Sequence, residues 1–138
     1  MPEPIPPSGS LSLSSDPKDV EQLLNSLESI LTKSCLDEMS AFHLRCAIVE
    51  VVNNCIQHAY MNKSGQPIEI TYELGPDRVQ VTISDRGPAF SEPVGATEGS
   101  LLGESGRGLQ IINAWVSSLK FERKNDWNIC LLEQRPQA

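Results

Sequence analysis

Five polar side chains with almost no net charge recur at helical spacing near the middle of the chain. They are Glu50, Asn53, Asn54, Gln57 and His58. Positions i, i+3, i+4, i+7 and i+8 share one face of a helix. A solvated face usually carries charges of both signs, and adjacent asparagines are poor helix formers. The stripe is therefore either a surface toward solvent or a partner, or a wall of donors and acceptors for a ligand.

Glu50 and Asn54 have the chemistry of a cation site beside a proton acceptor. They are four residues apart, which is about one helical turn. Carboxylate and amide oxygens suit hard cations. A carboxylate beside such a cation can orient or deprotonate a nucleophile. If the stripe faces a ligand, this pair is its reactive part.

A second group of chemically capable residues follows an alternating strand. Asp85 and Gly87 stand in the segment Ser-Asp-Arg-Gly-Pro. Asp, Gly and Pro all favour turns, so an ordinary strand end explains the segment. The alternative is a carboxylate that accepts a hydrogen bond from the amino group of a base. In that case Gly87 lets the backbone approach the ligand closely.

A third group consists of glycines just before a predicted helix. Gly103, Gly106 and Gly108 surround Arg107. Free amides at a helix N-terminus bind anions, and glycine permits a phosphate to approach. The spacing is neither that of the Rossmann fingerprint nor that of the P-loop. Arg107 either meets a phosphate or is simply exposed.

Alternating and helical patterns predict the elements that position these groups. The predicted order is a strand at Leu11–Ser14, a helix from Asp16, a helix from about Glu38 to Tyr60, a hairpin over 68–83, a long loop over 86–105, a helix from Gly106, and strands at 119–123 and 127–133. The apolar stripe of the second helix is predicted to include Met39, Phe42, Cys46, Val49, Val52 and Ile56. Helices that come in blocks favour an α+β fold, a two-layer sandwich with helices on one face of a mixed, largely antiparallel sheet.

Length and composition bound the function. The 138 residues suffice for one domain, predicted over 11–135 after a disordered Pro-rich segment at 1–10. A net charge of −7 argues against direct binding of nucleic acid. No apolar run is as long as a membrane span. Four cysteines without metal-site spacing indicate thiols in a reducing compartment, so we expect a cytoplasmic protein.

Taken in order, the three groups resemble motifs of the GHKL ATPase superfamily, and most closely those of the bacterial anti-sigma-factor serine kinases. Residues 50–60 (EVVNNCIQHAY) resemble the N box, residues 85–90 (DRGPAF) the G1 box, and residues 105–109 (SGRGL) the G2 box. The resemblance extends over 11–133 and implies the Bergerat ATP-binding fold.

The resemblance implies a site for ATP or ADP with Mg²⁺. Glu50 would be the general base or orienting carboxylate, and Asn54 the ligand of a Mg²⁺ that bridges the phosphates. Asp85 would bind the adenine amino group, and Gly87 would make room for the base. His58 matches a histidine of the N box and either has a functional role or braces the end of the helix.

The remaining motif residues are assigned by the same resemblance. Gly106 and Gly108 would bracket the phosphates, with Arg107 and Leu109 beside them in the G2 box, and residues 88–105 would form a short lid. Two positions depart from the pattern of the family. Ala89 stands where a second glycine is common, and Asn128 stands near a Thr or Ser that helps to hold adenine, so either Asn128 or a water takes that role.

The implied function is that of a serine/threonine-protein kinase and anti-sigma factor. Such a protein phosphorylates a STAS-type anti-anti-sigma partner and sequesters a sigma factor, and it is commonly a homodimer. Two alternatives stay open. One is an ATP-binding interaction module with little catalysis. The other is a histidine-kinase-like catalytic domain, although the histidines His43 and His58 both lie in the second helix.

Overall fold

Five strands and two long helices make up the computed structural model, which describes residues 7–88 and 113–137. The elements are β1 (Ser8–Ser14), α1 (Pro17–Thr32), α2 (Glu38–Asn54), a π-helical segment (Cys55–Ala59), β2 (Pro67–Leu74), β3 (Val79–Asp85), β4 (Ser118–Lys124) and β5 (Trp127–Gln134). The strand order is β1-β2-β3-β5-β4, and all four pairings are antiparallel. The predicted α+β architecture is confirmed.

The helix-facing side of the sheet is built from rows of apolar side chains. One row crosses all five strands through Leu11, Ile70, Ile83, Cys130 and Phe121. Ile70 and Ile83 are essentially inaccessible to solvent and belong to the same core cluster as the α2 residues Leu44, Ile48 and Val52. Because side chains alternate along a strand, the opposite side of the same strands carries mostly polar residues.

One row nearer the end of β3, the helix-facing side changes from apolar to polar. This row runs Leu13, Ile68, Asp85, Asn128 and Arg123. Asp85 and Asn128 are therefore direct neighbours on β3 and β5, on the side that the helices cover. The register alone places a buried carboxylate beside a buried amide.

Helix α1 starts where the sequence predicts. Asp16 is the N-cap and Pro17 occupies the first turn, where the missing amide hydrogen has no cost. Its buried residues are Leu23, Leu27, Ile30 and Leu31, which recur at helical spacing on one face. Strand β1 begins at Ser8, so the last three residues of the segment predicted to be disordered, 8–10, belong to the sheet.

The predicted buried face of α2 was wrong. Of the six residues in the predicted stripe only Val52 is buried, while Met39 and Phe42 are 52% and 46% exposed. The residues that pack against the sheet are Leu44, Ala47, Ile48, Val51, Val52 and Cys55. Apolar residues cover much of this helix, so two different stripes have helical spacing. The sequence pattern does not distinguish the stripe that meets the sheet.

The predicted hairpin over 68–83 is present, and the two predicted last strands pair as a second hairpin. In the β2–β3 turn the amide of Gly75 donates to the carbonyl of Arg78 at 2.8 Å. In the β4–β5 turn Asn125 and Asp126 both have positive φ, at 53° and 68°. Two successive positive φ values match the twist of the flanking strands, and Asn and Asp tolerate them.

The N-cap of α2 predicts an acid-sensitive contribution to stability. Asp37 accepts hydrogen bonds from the amide and hydroxyl of Ser40 and from the amide of Gln137. The Ser40 hydroxyl and then the Gln137 amide lower the pKa of Asp37 from 3.8 to about 2. A lowered folded-state pKa means that the stabilisation is present above about pH 4 and is lost as the pH falls toward 2. Asp37→Asn keeps a capping acceptor but cannot titrate.

We therefore expect the difference in melting temperature between wild type and Asp37→Asn to shrink from pH 5 to pH 2, followed by circular dichroism. Asp77→Asn, which changes an exposed carboxylate in the β2–β3 turn that does not cap a helix, is the control. A difference that stays constant over this pH range would contradict the assignment.

Candidate functional site

Asp85 is the last residue of β3 and is only 2% exposed. Its Oδ1 accepts from the amide of Gly87 at 2.8 Å and from Nδ2 of Asn128 at 2.9 Å. Charge-assisted hydrogen bonds of this kind offset the cost of burying a carboxylate. Both donors bind Oδ1, and neither of these two hydrogen bonds involves Oδ2.

Asn128 connects Asp85 to the chain that leaves β3. Its Nδ2 also donates to the carbonyls of Pro88 at 3.0 Å and Gly87 at 3.3 Å. Its Oδ1 accepts from Nη1 of Arg123 at 3.0 Å, and the same Nη1 donates to the carbonyl of Gly87 at 2.8 Å. The sequence pointed to Asn128 but not to Arg123. The signal that could have identified Arg123 is the pairing of β4 with β5, because it places residue 123 beside residue 128.

Gly87 lies directly against Ala59 at the end of the π-helical segment. A Cβ atom at Gly87 would lie 2.6 Å from the Cβ of Ala59 and 2.7 Å from its carbonyl oxygen. Both separations are well below van der Waals contact. The close approach of two backbone segments therefore requires glycine here, independently of the room for a base that the sequence suggested.

Asn54 is the last residue of α2 and is 7% exposed. Neither its Oδ1 nor its Nδ2 has a hydrogen-bond partner, and it is the sole side chain in the described ranges with buried polar atoms in this condition. An unsatisfied buried polar group costs about 1–3 kcal/mol, so it calls for an explanation such as a ligand or ion. An unpartnered amide oxygen fits the Mg²⁺ that the resemblance implies.

The described part of the chain offers few further protein ligands for a Mg²⁺ at Asn54. Residues 7–88 and 113–137 contain no group of three or more His, Cys, Asp or Glu side chains that could hold a metal. Mg²⁺ commonly binds through one or two protein oxygens together with substrate phosphates and water. A single amide therefore fits a metal that arrives with a nucleotide.

The helix that carries this stripe changes type at Asn54. The predicted α-helix to Tyr60 instead ends at Asn54 and continues as a π-helical segment, in which the amide of Tyr60 donates to the carbonyl of Cys55 at 2.9 Å. π-helical turns are rare and often occur at functional sites. Glu50 is half-buried one turn before Asn54, whereas Gln57 is exposed. Of the predicted polar stripe, Gln57 in the π-helical segment is thus exposed, whereas Asn54 is buried.

Two further residues near Asp85 were missed by the sequence analysis. The Cys55 thiol hydrogen-bonds the Asp85 carboxylate; burial, and then that carboxylate, raise the pKa of Cys55 well above its ordinary value. The thiol is therefore protonated at neutral pH and donates. Tyr60 donates from its hydroxyl to the carbonyl of Pro67 and accepts from the amide of Arg86 at 2.6 Å. In the sequence both residues look like ordinary core residues.

The structure therefore brings part of the predicted site together. Asp85, Gly87 and Asn128 are in direct contact, and Cys55 links them to the helix end that carries Asn54. The other predicted residues lie outside the described ranges: Ala89, Gly106, Arg107, Gly108 and Leu109. The start of the predicted third helix also lies outside them, while residues 113–115 are helical.

Comparison with known proteins identifies the family. Residues 13–132 match the model of the histidine kinase-like ATPase domain, so this chain belongs to that family. The resemblance to GHKL ATPases and to anti-sigma-factor serine kinases is thereby confirmed, and a domain of this family binds ATP.

Two curated relatives are serine-protein kinases named RsbW. The Oceanobacillus iheyensis protein is 28% identical over 90 residues, which are 59% of this chain and 57% of the relative. The Listeria innocua protein is 26% identical over 80 residues, 58% of this chain and 51% of the relative. The matched part thus spans little more than half the length of either relative.

Solved structures support the fold. The chain is similar to the structure of the RsbU and RsbW domains of a Mycobacterium tuberculosis protein, with a TM-score of 0.69, 20% identity, and coverage of 94% of this chain and 32% of the other. The Acinetobacter baumannii histidine kinase AdeS gives a TM-score of 0.51 at 17% identity, covering 91% of this chain and 67% of the other. In the described part of the chain, no helix has the length and apolar character needed to cross a membrane.

The contact between Gly87 and Ala59 predicts that Gly87→Ala destabilises the fold. A methyl group cannot be accommodated at 2.7 Å from a backbone oxygen, so strand end and helix end must separate. Overpacking of this kind costs about 1–3 kcal/mol, measurable by urea denaturation. Gly75→Ala, whose Cβ would meet a carbonyl oxygen at 3.2 Å, is the milder control. Equal stability of Gly87→Ala and wild type would show that the contact between Gly87 and Ala59 does not require glycine.

Proposed function

We propose that this protein is an ATP-dependent serine/threonine-protein kinase and anti-sigma factor that phosphorylates a STAS-type anti-anti-sigma partner. The observation that carries the proposal is Asn54, a buried amide with no protein partner, one turn from the carboxylate of Glu50. The family supports ATP binding, and the relatives named as serine-protein kinases support phosphoryl transfer to a protein serine.

The base of the nucleotide would be recognised at the end of β3. Asp85 is held with Oδ1 occupied by two donors, and an ionised carboxylate can only accept. It would therefore accept a hydrogen bond from the adenine amino group. Asn128, which is 3% exposed and fully engaged with the protein, would act by holding Asp85 and the Gly87 backbone.

The phosphates would lie toward Asn54 and Glu50. The Oδ1 of Asn54 would be the protein ligand of Mg²⁺, which when bound neutralises the charge of the phosphates. Glu50 would orient the serine hydroxyl of the substrate and accept its proton. Amides near Gly106 and Gly108 would bracket the phosphates, with Arg107 and Leu109 beside them, and Ala89 would lie at the start of the lid.

The proposal also includes the domain bounds, the partners, the oligomeric state and the cellular location of the protein. Residues 11–135 would form the kinase domain, which would sequester a sigma factor when the STAS partner is phosphorylated. The protein would act in the cytoplasm, as a homodimer, without direct contact to nucleic acid. The net charge of −7 favours protein partners over nucleic acid.

The role of Asn54 is tested by Asn54→Ala and by thermal stability. Mg-ADP at 100 times its Kd should stabilise the wild type by about 2.7 kcal/mol, and GDP should not. In Asn54→Ala the dependence on Mg²⁺ should disappear. Without nucleotide the variant should be no less stable than the wild type, because it removes a buried amide that has no hydrogen-bond partner.

Asn53→Ala is the matched control, since it makes the same change on the half-buried neighbour. It should keep the stabilisation by Mg-ADP. Failure of the wild type to respond to any adenine nucleotide would overturn the nucleotide site itself.

The role of Glu50 is tested by Glu50→Gln in a phosphorylation assay with Mg-ATP and the STAS partner. Loss of a general base should lower the rate of phosphoserine formation by about 10²–10⁴-fold while Mg-ADP binding persists. Glu38→Gln, an exposed glutamate in the first turn of the same helix, should leave the rate unchanged. Normal phosphorylation by Glu50→Gln would remove the base role. Acid-labile phosphohistidine in place of phosphoserine would indicate histidine kinase chemistry.

A further inference from the structure

We propose that Arg123 is a positioning residue that orients Asn128 and, through it, the carboxylate of Asp85, and so determines the preference for a purine with an amino group at C6 over one with a carbonyl there. The inference rests on the proposed function, since it presumes that Asp85 recognises the base. It concerns a residue on β4, an edge strand, and this residue does not belong to any of the three motifs.

The hydrogen-bond partners of the Asn128 amide define its orientation. Nδ2 faces three acceptors: Oδ1 of Asp85 at 2.9 Å, the carbonyl of Pro88 at 3.0 Å and the carbonyl of Gly87 at 3.3 Å. Oδ1 faces one donor, Nη1 of Arg123 at 3.0 Å. The reverse orientation would put Oδ1 against a carboxylate and two carbonyls, and would point a donor at the guanidinium. Arg123 thus favours the one orientation in which Asn128 donates to Asp85.

The hydrogen bonds of Arg123, Asn128, Gly87 and Asp85 close a ring. Nη1 of Arg123 donates to Oδ1 of Asn128 and to the carbonyl of Gly87, at 3.0 Å and 2.8 Å. Asn128 Nδ2 and the Gly87 amide then donate to the same oxygen of Asp85, at 2.9 Å and 2.8 Å. A single nitrogen of Arg123 therefore stabilises both of the groups that hold Oδ1. Connected polar networks of this kind restrict rotation more than separate bonds do.

The orientation of the Asp85 carboxylate affects which base can bind to it. A carboxylate of fixed rotation presents Oδ2 in one direction, and that oxygen can only accept. A purine with an amino group at C6 supplies a donor to Oδ2. A purine with a carbonyl at C6 places an acceptor against an oxygen that itself can only accept. A site built to pair with one donor discriminates strongly against the analogue that lacks it. The discrimination weakens if the carboxylate is free to turn.

The exposure of Arg123 makes the inference testable without collapsing the fold. Its side chain is 36% exposed, and its ion pair with Asp126, at 3.8 Å, involves a side chain that is 85% exposed. Exposed pairs of this kind contribute little to stability. Removing the guanidinium should therefore affect the ring more than the core.

The experiment compares wild type, Arg123→Ala, Arg123→Lys and Arg135→Ala by calorimetric titration with Mg-ADP and with Mg-IDP, in which a carbonyl replaces the amino group. Arg135→Ala is the matched control, because it removes an arginine that pairs with Asp77 and Glu133 instead. In Arg123→Ala the affinity for ADP should fall about tenfold, the effect of roughly one charge-assisted hydrogen bond, and the preference for ADP over IDP should narrow. Arg123→Lys should restore part of the affinity for ADP and part of the preference over IDP, because in wild type a single nitrogen of Arg123 donates to both Asn128 and Gly87.

A second readout needs no nucleotide. Hydrogen exchange of the Gly87 amide, followed by NMR, should be slow in wild type and in Arg135→Ala and faster in Arg123→Ala. If wild type binds ADP and Arg123→Ala keeps the affinity, the preference and the slow exchange, the positioning role is overturned while the nucleotide site stands. If wild type binds neither nucleotide, the proposed function fails and this inference fails with it.

Discussion

A carboxylate that is removed from water has to be supplied with hydrogen-bond donors, and the way Asp85 receives them determines the arrangement around it. The strand pairing places Asn128 next to it, the turn after β3 returns the Gly87 amide to it, and the helix end contributes the Cys55 thiol. Each of these groups comes from a different element. The position of one buried charge therefore fixes how β3, β5 and the end of α2 meet.

Much of this arrangement follows from the sequence, because the patterns involved are local. The Asp-Pro helix start, the two hairpins and the alternating strands depend on residues close together in the chain, and the structure has them where the pattern predicts them. Asp85, Gly87 and Asn128 were also expected at the site, from motif resemblance, and they are in contact. The structure adds the physical reasons for these residues. Gly87 is required because it lies against Ala59, and Asn128 donates a hydrogen bond directly to Asp85.

The features that could not be predicted depend on which faces meet. The buried stripe of α2 was missed because Met39 and Phe42 have the same apolar character and spacing as residues that are buried. The π-helical segment was missed because a change from four-residue to five-residue hydrogen bonding leaves no mark in the order of residue types. Arg123 was missed because a charged residue on an edge strand ordinarily faces water. Only strand pairing shows that it reaches Asn128.

The pairing of β3 with β5 has a consequence for the order in which the chain folds. Asp85 and Asn128 are 43 residues apart, whereas each hairpin joins strands that are neighbours in the chain. Joining such distant segments costs more chain entropy than closing a hairpin, so we expect the hairpins to form first and the Asp85 end of the sheet to be completed late. A nucleotide that binds Asp85 as proposed would then engage it only after the transition state. It would prolong the lifetime of the folded protein by slowing unfolding, with little effect on how fast the protein folds.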